Sequence, residues 1–157
     1  ISATAPSSAR VFKTGDVTRR YLGCFRTNGS GAPIPMRAHG GRFSYRLSAV
    51  GTDTQALSTS SAAPSVTDVA LSSFIPPHTR AARVQSTVTS VGGATVLNLL
   101  TKGDSAVGIT WRQQAPDGTT TYGECEIETD SSRVIQYTYG LSGGSGTAVI
   151  RVAGWSE

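Results

Sequence analysis

Apolar and polar residues alternate with a period of two along most of this chain. In residues 82–88, Val84 and Val88 share one side, while Gln85 and Thr87 share the other. Side chains of an extended strand alternate between its two faces, so this period is typical of β-strands. Turn signals rich in glycine and proline separate such segments at intervals of roughly 8–12 residues. The pattern predicts an all-β protein with no substantial helix.

The stretch of residues 19–47 shows this organisation most fully, as a strand, a turn, a second extended piece, another turn and a third strand. Asn28 and Gly29 tolerate the positive φ angles that a hairpin turn requires. Phe43 and Tyr45 then point to the same side of the third strand. This stretch therefore indicates an all-β protein.

The rest of the chain continues the pattern. Residues 51–65 are small and polar and are predicted to form a surface loop. The apolar run 96–100 is too hydrophobic for a wet edge strand, and residues 116–118, Pro-Asp-Gly, form a clear turn. Roughly nine to eleven short strands result, which indicates an antiparallel β-sandwich, jelly-roll-like in type.

Length and composition are consistent with one domain. The chain has 157 residues, of which 38% are apolar and 15% are charged. We expect a linker over residues 1–9, rich in Ala and Ser, and a single β-sandwich domain over residues 10–157. Because the sequence begins at Ile1 without methionine, we expect it to be a fragment or a processed product. No apolar stretch is long enough to cross a membrane, and no signal peptide is visible.

The net charge of +4 is unevenly distributed. Residues 1–50 contain most of the basic residues, and Asp16 is the acidic residue among them. A basic end of this kind suits nucleic acid, an acidic glycan or an acidic protein neighbour, or it is simply a solvated strand face. Because no basic run exceeds two residues, we expect no nucleic-acid ligand.

Several motifs resemble a module found in tail fibres and other virion appendages of tailed bacteriophages. The first is Arg19-Arg20-x-Leu22-Gly23-x-Phe25-Arg26-Thr27-Asn28-x-Ser30-Gly31, followed by Gly41-x-Phe43-x-Tyr45. The upstream Ser2-Ala3-Thr4-Ala5-Pro6 is similar to the linker of those proteins. The closing strands are similar too, at Ser131-Ser132-Arg133-x-Ile135-x-Tyr137 and Val149-Ile150-x-Val152-x-Gly154-Trp155.

This resemblance implies a distal tail-fibre, tailspike or head-fibre domain of the virion that is not an enzyme. Such a domain binds a host surface glycan, either polysaccharide or lipopolysaccharide, and is commonly a homotrimer. The alternative is a structural capsid-decoration or baseplate-attachment module whose partners are other virion proteins. A glycan depolymerase is a third hypothesis, and the sequence offers no convincing acid pair for it.

The candidate ligand contacts come from acidic and aromatic side chains. Glu124, Glu126 and Glu128 alternate along one strand face, and Tyr122 shares that outward face. Three readings of these carboxylates stay open: a solvated stripe opposite Arg133 or Arg151, a calcium site with loop oxygens such as Asp130, or a catalytic pair. The aromatics that are suited to stacking on sugars are Tyr21, Tyr45, Trp111, Tyr122, Tyr137, Tyr139 and Trp155.

Most of these aromatics should be core or subunit interface, and Trp111 is expected in the core. The predicted ligand-binding residues are Tyr122, Glu124, Glu126 and Trp155. We expect no catalytic residue and no cofactor. We also expect no metal site, because the chain offers two cysteines and two histidines that lie far apart in the sequence. Cys24 and Cys125 either pair across two strands or are separately buried.

Overall fold

A computed structural model of the chain describes residues 12–13, 16–20, 27, 30–45, 54–103 and 109–157, the first two ranges by their backbone alone. These residues form twelve β-strands and no α-helix. The strands are β1 Phe12–Lys13, β2 Asp16–Arg20, β3 Met36–His39, β4 Arg42–Tyr45, β5 Gln55–Thr59, β6 Ala63–Ala70, β7 Ala81–Val91, β8 Thr95–Thr101, β9 Trp111–Ala115, β10 Thr120–Glu128, β11 Val134–Leu141 and β12 Ser145–Ser156. Leu22 and Phe25 of the phage-like motif and the linker of residues 1–9 lie outside the described residues.

Ten of these strands form two antiparallel sheets. The six-stranded sheet has the order β10-β7-β12-β4-β3, and β5 also pairs with β12. The long strand β12 pairs with β5 through its first half and with β4 through its second half. The four-stranded sheet has the order β6-β11-β8-β9, and β1 pairs with β2 separately.

The last eight strands pair in a nested series. Strand β5 pairs with β12, β6 with β11, β7 with β10 and β8 with β9, always antiparallel. The chain from β5 to β8 therefore lies beside the returning chain from β9 to β12, and this folded ribbon winds across both sheets. That winding is the jelly roll, so the prediction of an all-β, jelly-roll-like sandwich is confirmed.

The core lies between the inner faces of the two sheets. The six-stranded sheet contributes the fully buried Val84, Val88 and Ile150, which face Leu97 and Leu99 of the other sheet. Strand β7 alternates strictly between buried and less buried residues along residues 82–90, as the sequence pattern predicts. Burial of one face of each strand therefore fixes which residues point outward.

Three turns that carry the chain between the sheets meet at one end of the sandwich. Gly92 and Gly144 lie in two of them with φ of 80° and 64°, and a side chain on Gly144 would overlap the carbonyl of Val91. The third is the predicted Pro-Asp-Gly turn, where Asp117 accepts a 2.5 Å hydrogen bond from the backbone N–H of Gly92. Glycine is required here because two backbones approach closely at positive φ.

One sequence-based expectation is wrong in this part of the fold. Residues 51–65 do not form a continuous surface loop, because β5 occupies Gln55–Thr59 and β6 begins at Ala63. Leu57 pairs with Ile150, and its side chain packs against the core. This segment of small and polar residues forms a strand because its backbone pairs with that of β12, which is distant in sequence.

Candidate functional site

Tyr122 projects from the outer face of the six-stranded sheet. It lies on the edge strand β10, whose alternate residues Gly123, Cys125 and Ile127 turn toward the sandwich interior. The Tyr122 side chain is 79% exposed, more than the other large apolar residues of the described chain. This placement on the outward face agrees with the alternation of the sequence.

The strand register surrounds Tyr122 with polar side chains. Tyr122 lies opposite Thr87 on β7, and Glu124 lies opposite Gln85. On the other side of β7, Gln85 is paired with Arg151 of β12. Side chains that are paired across strands share one face of the sheet, so these residues form one surface.

Glu124 is held in place by two donors from β7. Arg83 Nε donates a 2.6 Å hydrogen bond to Glu124 Oε1, and Gln85 Nε2 donates a 2.8 Å hydrogen bond to Oε2. Partial burial acts to raise the pKa of Glu124, but the hydrogen bonds from Gln85 and Arg83 and the charge of Arg83 outweigh it. The pKa is therefore lowered, and Glu124 is an ionised acceptor at neutral pH, which does not suit a proton donor.

Arg151 completes the surface around Tyr122. Its Nη1 donates a long hydrogen bond of 3.5 Å to Thr87 Oγ1, in the same row as Tyr122. An open groove of about 430 Å³ runs over this region. The groove is lined by Gln85, Ser86, Thr87, Tyr122, Gly123, Glu124 and Arg151.

Glu126 lies beside the groove and outside its lining. Ser156 Oγ donates a 2.8 Å hydrogen bond to Glu126 Oε1, and Arg42 approaches Oε2 at 3.8 Å. Glu124, Glu126 and Glu128 share the outer face, as the sequence predicts. The predicted opposition to Arg133 or Arg151 is not found, because Arg133 donates to the carbonyls of Ser72 and Ile75, and Arg151 donates to Thr87.

The structure corrects the placement of Trp155. Its side chain is 2% exposed and stacks on Phe43, with ring centroids 5.1 Å apart. Tyr45 meets the same ring edge-on at 5.7 Å. The ring presents no face to solvent, so the predicted ligand contact through Trp155 does not hold in this structure.

A β-bulge explains the burial of Trp155. The pairing of β12 with β7 shifts between Val152 and Gly154. Ile150 and Val152 point inward, so a regular strand would turn Trp155 outward. The extra residue, Ala153, reverses the phase and sends Trp155 into the core.

The remaining candidates for chemistry are two histidines and one cysteine. His78 Nε2 lies 2.6 Å from Glu157 Oε1 in a largely buried pair, and His39 is exposed at the end of β3. Burial, with a smaller effect of the Glu124 charge, raises the pKa of the Cys125 thiol to about 12. The Cys125 thiol is free, and Cys24 lies outside the described residues.

Neither a metal site nor a membrane-spanning helix is present among the described residues. Within them, no group of three or more His, Cys, Asp or Glu side chains is arranged to hold a metal ion. Across the same ranges, no helix is long and apolar enough to span a membrane. The groove around Tyr122 is the candidate site because it combines an exposed aromatic ring with polar and charged side chains.

Comparison with known proteins identifies no family for this chain. No protein-family model matches the chain, and no curated protein matches it. One solved structure with a similar arrangement is a carbohydrate-binding module from Cellvibrio mixtus lichenase 5A in complex with cellotriose. It is 16% identical over 83% of each chain, with a TM-score of 0.33.

Proposed function

We propose that this chain is a glycan-binding module of a bacteriophage virion appendage. The observation that carries the binding role is the exposed Tyr122 ring beside fixed polar groups in an open groove. The virion context is supported by the phage-like sequence motifs, and jelly rolls are common in capsid proteins and lectins. The ligand is a host surface polysaccharide or lipopolysaccharide.

The groove has the two kinds of surface that a sugar needs. An exposed tyrosine ring offers an apolar face to the C–H groups of a pyranose and a hydroxyl group at its tip. Glu124 and Gln85 offer an acceptor and an amide for hydroxyl groups, already oriented by their mutual hydrogen bond. A volume of about 430 Å³ is within the range of small-ligand sites. Pre-oriented groups lose little entropy when they bind a ligand.

The groove residues support binding without turnover. Glu124 is a carboxylate with a lowered pKa, and Glu126 accepts from Ser156. Neither is placed in an apolar pocket of the kind that raises the pKa of a general acid. We therefore propose that the module is not an enzyme. We expect it to assemble as a homotrimer in the virion.

The test is binding of purified host lipopolysaccharide and capsular polysaccharide to immobilised protein. Tyr122→Ala should weaken binding at least about tenfold, since it removes the stacking surface. Val66→Ala is the matched control, because Val66 is also exposed but lies on the four-stranded sheet. Unchanged binding by Tyr122→Ala contradicts the proposed site. Capture of another virion protein instead of glycan favours the structural attachment role.

A further inference from the structure

We infer that the glycan bound in this groove is acidic, with an anionic group of one sugar paired with Arg151 while a sugar ring lies on Tyr122. The inference rests on the proposed function and names the class of its ligand. The shared chemistry is a carboxylate or a phosphate. Both are planar or forked acceptors that match the guanidinium group.

The position of Arg151 carries this inference. Arg151 is half-buried on β12, in the middle of the six-stranded sheet, and it lines the groove together with Tyr122. Its hydrogen bond goes to the neutral hydroxyl of Thr87 at 3.5 Å. Among the residues that the structure describes, no carboxylate is within ion-pair distance of Arg151.

Two other cations on this face have a carboxylate partner, and the exposed Arg37 of β3 lies outside the groove lining. Arg83 is paired with Glu124, and Arg42 approaches Glu126. Glu124 also accepts from Gln85, so both of its oxygens are engaged by β7. The carboxylate nearest to Arg151 in its row of the sheet is therefore already neutralised by another arginine.

A charge without a counter-charge in a partly desolvated groove favours an incoming anion. Charge-assisted hydrogen bonds are stronger than those between neutral groups, and the arginine fork binds a carboxylate through two parallel bonds. The Tyr122 ring supplies the complementary apolar contact. A sugar that bears an acid group pairs with Arg151 as well as stacking on the ring, whereas a neutral sugar leaves Arg151 without a counter-charge.

The experiment compares acidic glycans with their neutralised forms on the intact chain. The probes are polygalacturonate, polysialate and phosphomannan, together with the capsular polysaccharides of the proposed host screen. Each carboxylate polymer is paired with its carboxyl-reduced form, and phosphomannan with its dephosphorylated form. Binding to the acidic form should exceed binding to its neutral counterpart at least about tenfold. The pair that shows the loss distinguishes carboxylate from phosphate.

Three variants assign the effect to Arg151. Arg151→Gln should lose the preference for the acidic form, and Arg151→Lys should retain part of it because the charge remains without the fork. Arg112→Gln is the matched control, since Arg112 is exposed on β9 of the other sheet. Thermal unfolding confirms that each variant folds. If Arg151→Gln does not fold, the comparison of acidic glycans with their neutralised forms on the unaltered protein still tests whether the ligand is acidic.

The outcomes separate this inference from the proposed function. Loss of binding in Tyr122→Ala, with equal binding of acidic and neutral glycans, overturns the acidic ligand and leaves the glycan-binding role. Binding of acidic glycans that Arg151→Gln does not weaken also overturns the inference. Failure of every polysaccharide to bind overturns the proposed function and the inference with it.

Discussion

The outer faces of the two sheets carry the same kind of polar cluster. On the six-stranded sheet, Glu124 accepts hydrogen bonds from the cation Arg83 and the amide Gln85. On the four-stranded sheet, Asp68 accepts hydrogen bonds from Lys102 and, at 2.8 Å, from Gln136. Each cluster joins a carboxylate, an amide and a cation across neighbouring strands.

What surrounds these clusters differs. Beside Glu124 stand the exposed ring of Tyr122 and the additional cation Arg151, and a groove joins them. The described residues of the four-stranded outer face include no aromatic side chain, and Val66 is the exposed large apolar residue there. A carboxylate–amide–cation cluster alone is therefore ordinary surface structure. The exposed ring, and its position in one groove with Arg151, distinguish the candidate site.

The largest expected effect is a loss of stability on removal of Trp155, which packs in the core beneath the six-stranded sheet. Trp155→Ala should lower the free energy of unfolding by about 3–5 kcal/mol, because it removes a buried, stacked ring and leaves a cavity. Tyr122→Ala is the matched exposed aromatic, and its effect should be within about 0.5 kcal/mol. Urea unfolding measures both values. Equal losses in the two variants contradict the assignment of one ring to the core and the other to the surface.

A smaller loss of stability is expected from a substitution on the inner face of β10. Gly123→Ala places a methyl group onto the ring of Trp111, and this overpacking should cost about 1–3 kcal/mol. Gly140→Ala is the control on the four-stranded sheet, since nothing lies within 4 Å of the added carbon and φ is not positive there. Thermal unfolding compares them. If both are neutral, Trp111 does not pack against β10 as described.

The two carboxylate clusters make a smaller contribution to stability, and this contribution depends on pH. The pKa values of Glu124 and Asp68 are both lowered in the folded state. Each group thus adds stability above its unfolded pKa of about 4, and this stability is lost as pH falls through the lower folded value. Glu124→Gln should cost less than about 1 kcal/mol at pH 7, because the cluster is largely exposed.

Measurement of unfolding at pH 7 and at pH 3 tests this sign. The difference between the unaltered protein and Glu124→Gln should shrink at the lower pH, and Asp68→Asn should change in the same direction. A difference that grows on acidification contradicts the lowered pKa values. Glycan binding should also distinguish the two sheets, because Asp68→Asn on the four-stranded sheet should leave glycan affinity unchanged.

The last expected effect is on the rate of alkylation of Cys125, whose thiol lies on the inner side of the strand that carries Glu124 and Glu126. Burial raises the pKa of Cys125 to about 12, so little thiolate forms at neutral pH. In a Cys24→Ser background, iodoacetamide should label native Cys125 far more slowly than the urea-unfolded chain. Similar labelling rates in both states contradict the packing of this thiol against the core.

The sequence predicted the parts of this structure that depend on local periodicity. Alternation along residues 82–88 and 122–128 correctly placed Val84 inward and both Tyr122 and Glu124 outward. Burial of one strand face sets this pattern, and a strand shows it without reference to its partners. The all-β class and the jelly-roll-like sandwich followed from the same signal and from the turns.

The sequence did not predict features that depend on pairing between distant strands. Strand β5 is small and polar, and its ladder with β12 makes it a strand. Arg83 was not foreseen as the partner of Glu124, because the register of β7 and β10 joins residues 41 positions apart. The prediction of Trp155 as a ligand contact is wrong because the ring is buried. The bulge at Ala153 turns the ring inward, and no residue type marks that bulge.

The most direct test of the central claim is an NMR titration of the ¹⁵N-labelled chain with a polysaccharide from the binding screen. Binding at the Tyr122 groove should shift the amide signals of residues 85–87, 122–124 and 151. The amides of residues 66–70 and 136–138, on the other sheet, should stay unchanged. Shifts centred on the four-stranded face, or saturating binding without shifts around Tyr122, would contradict the account.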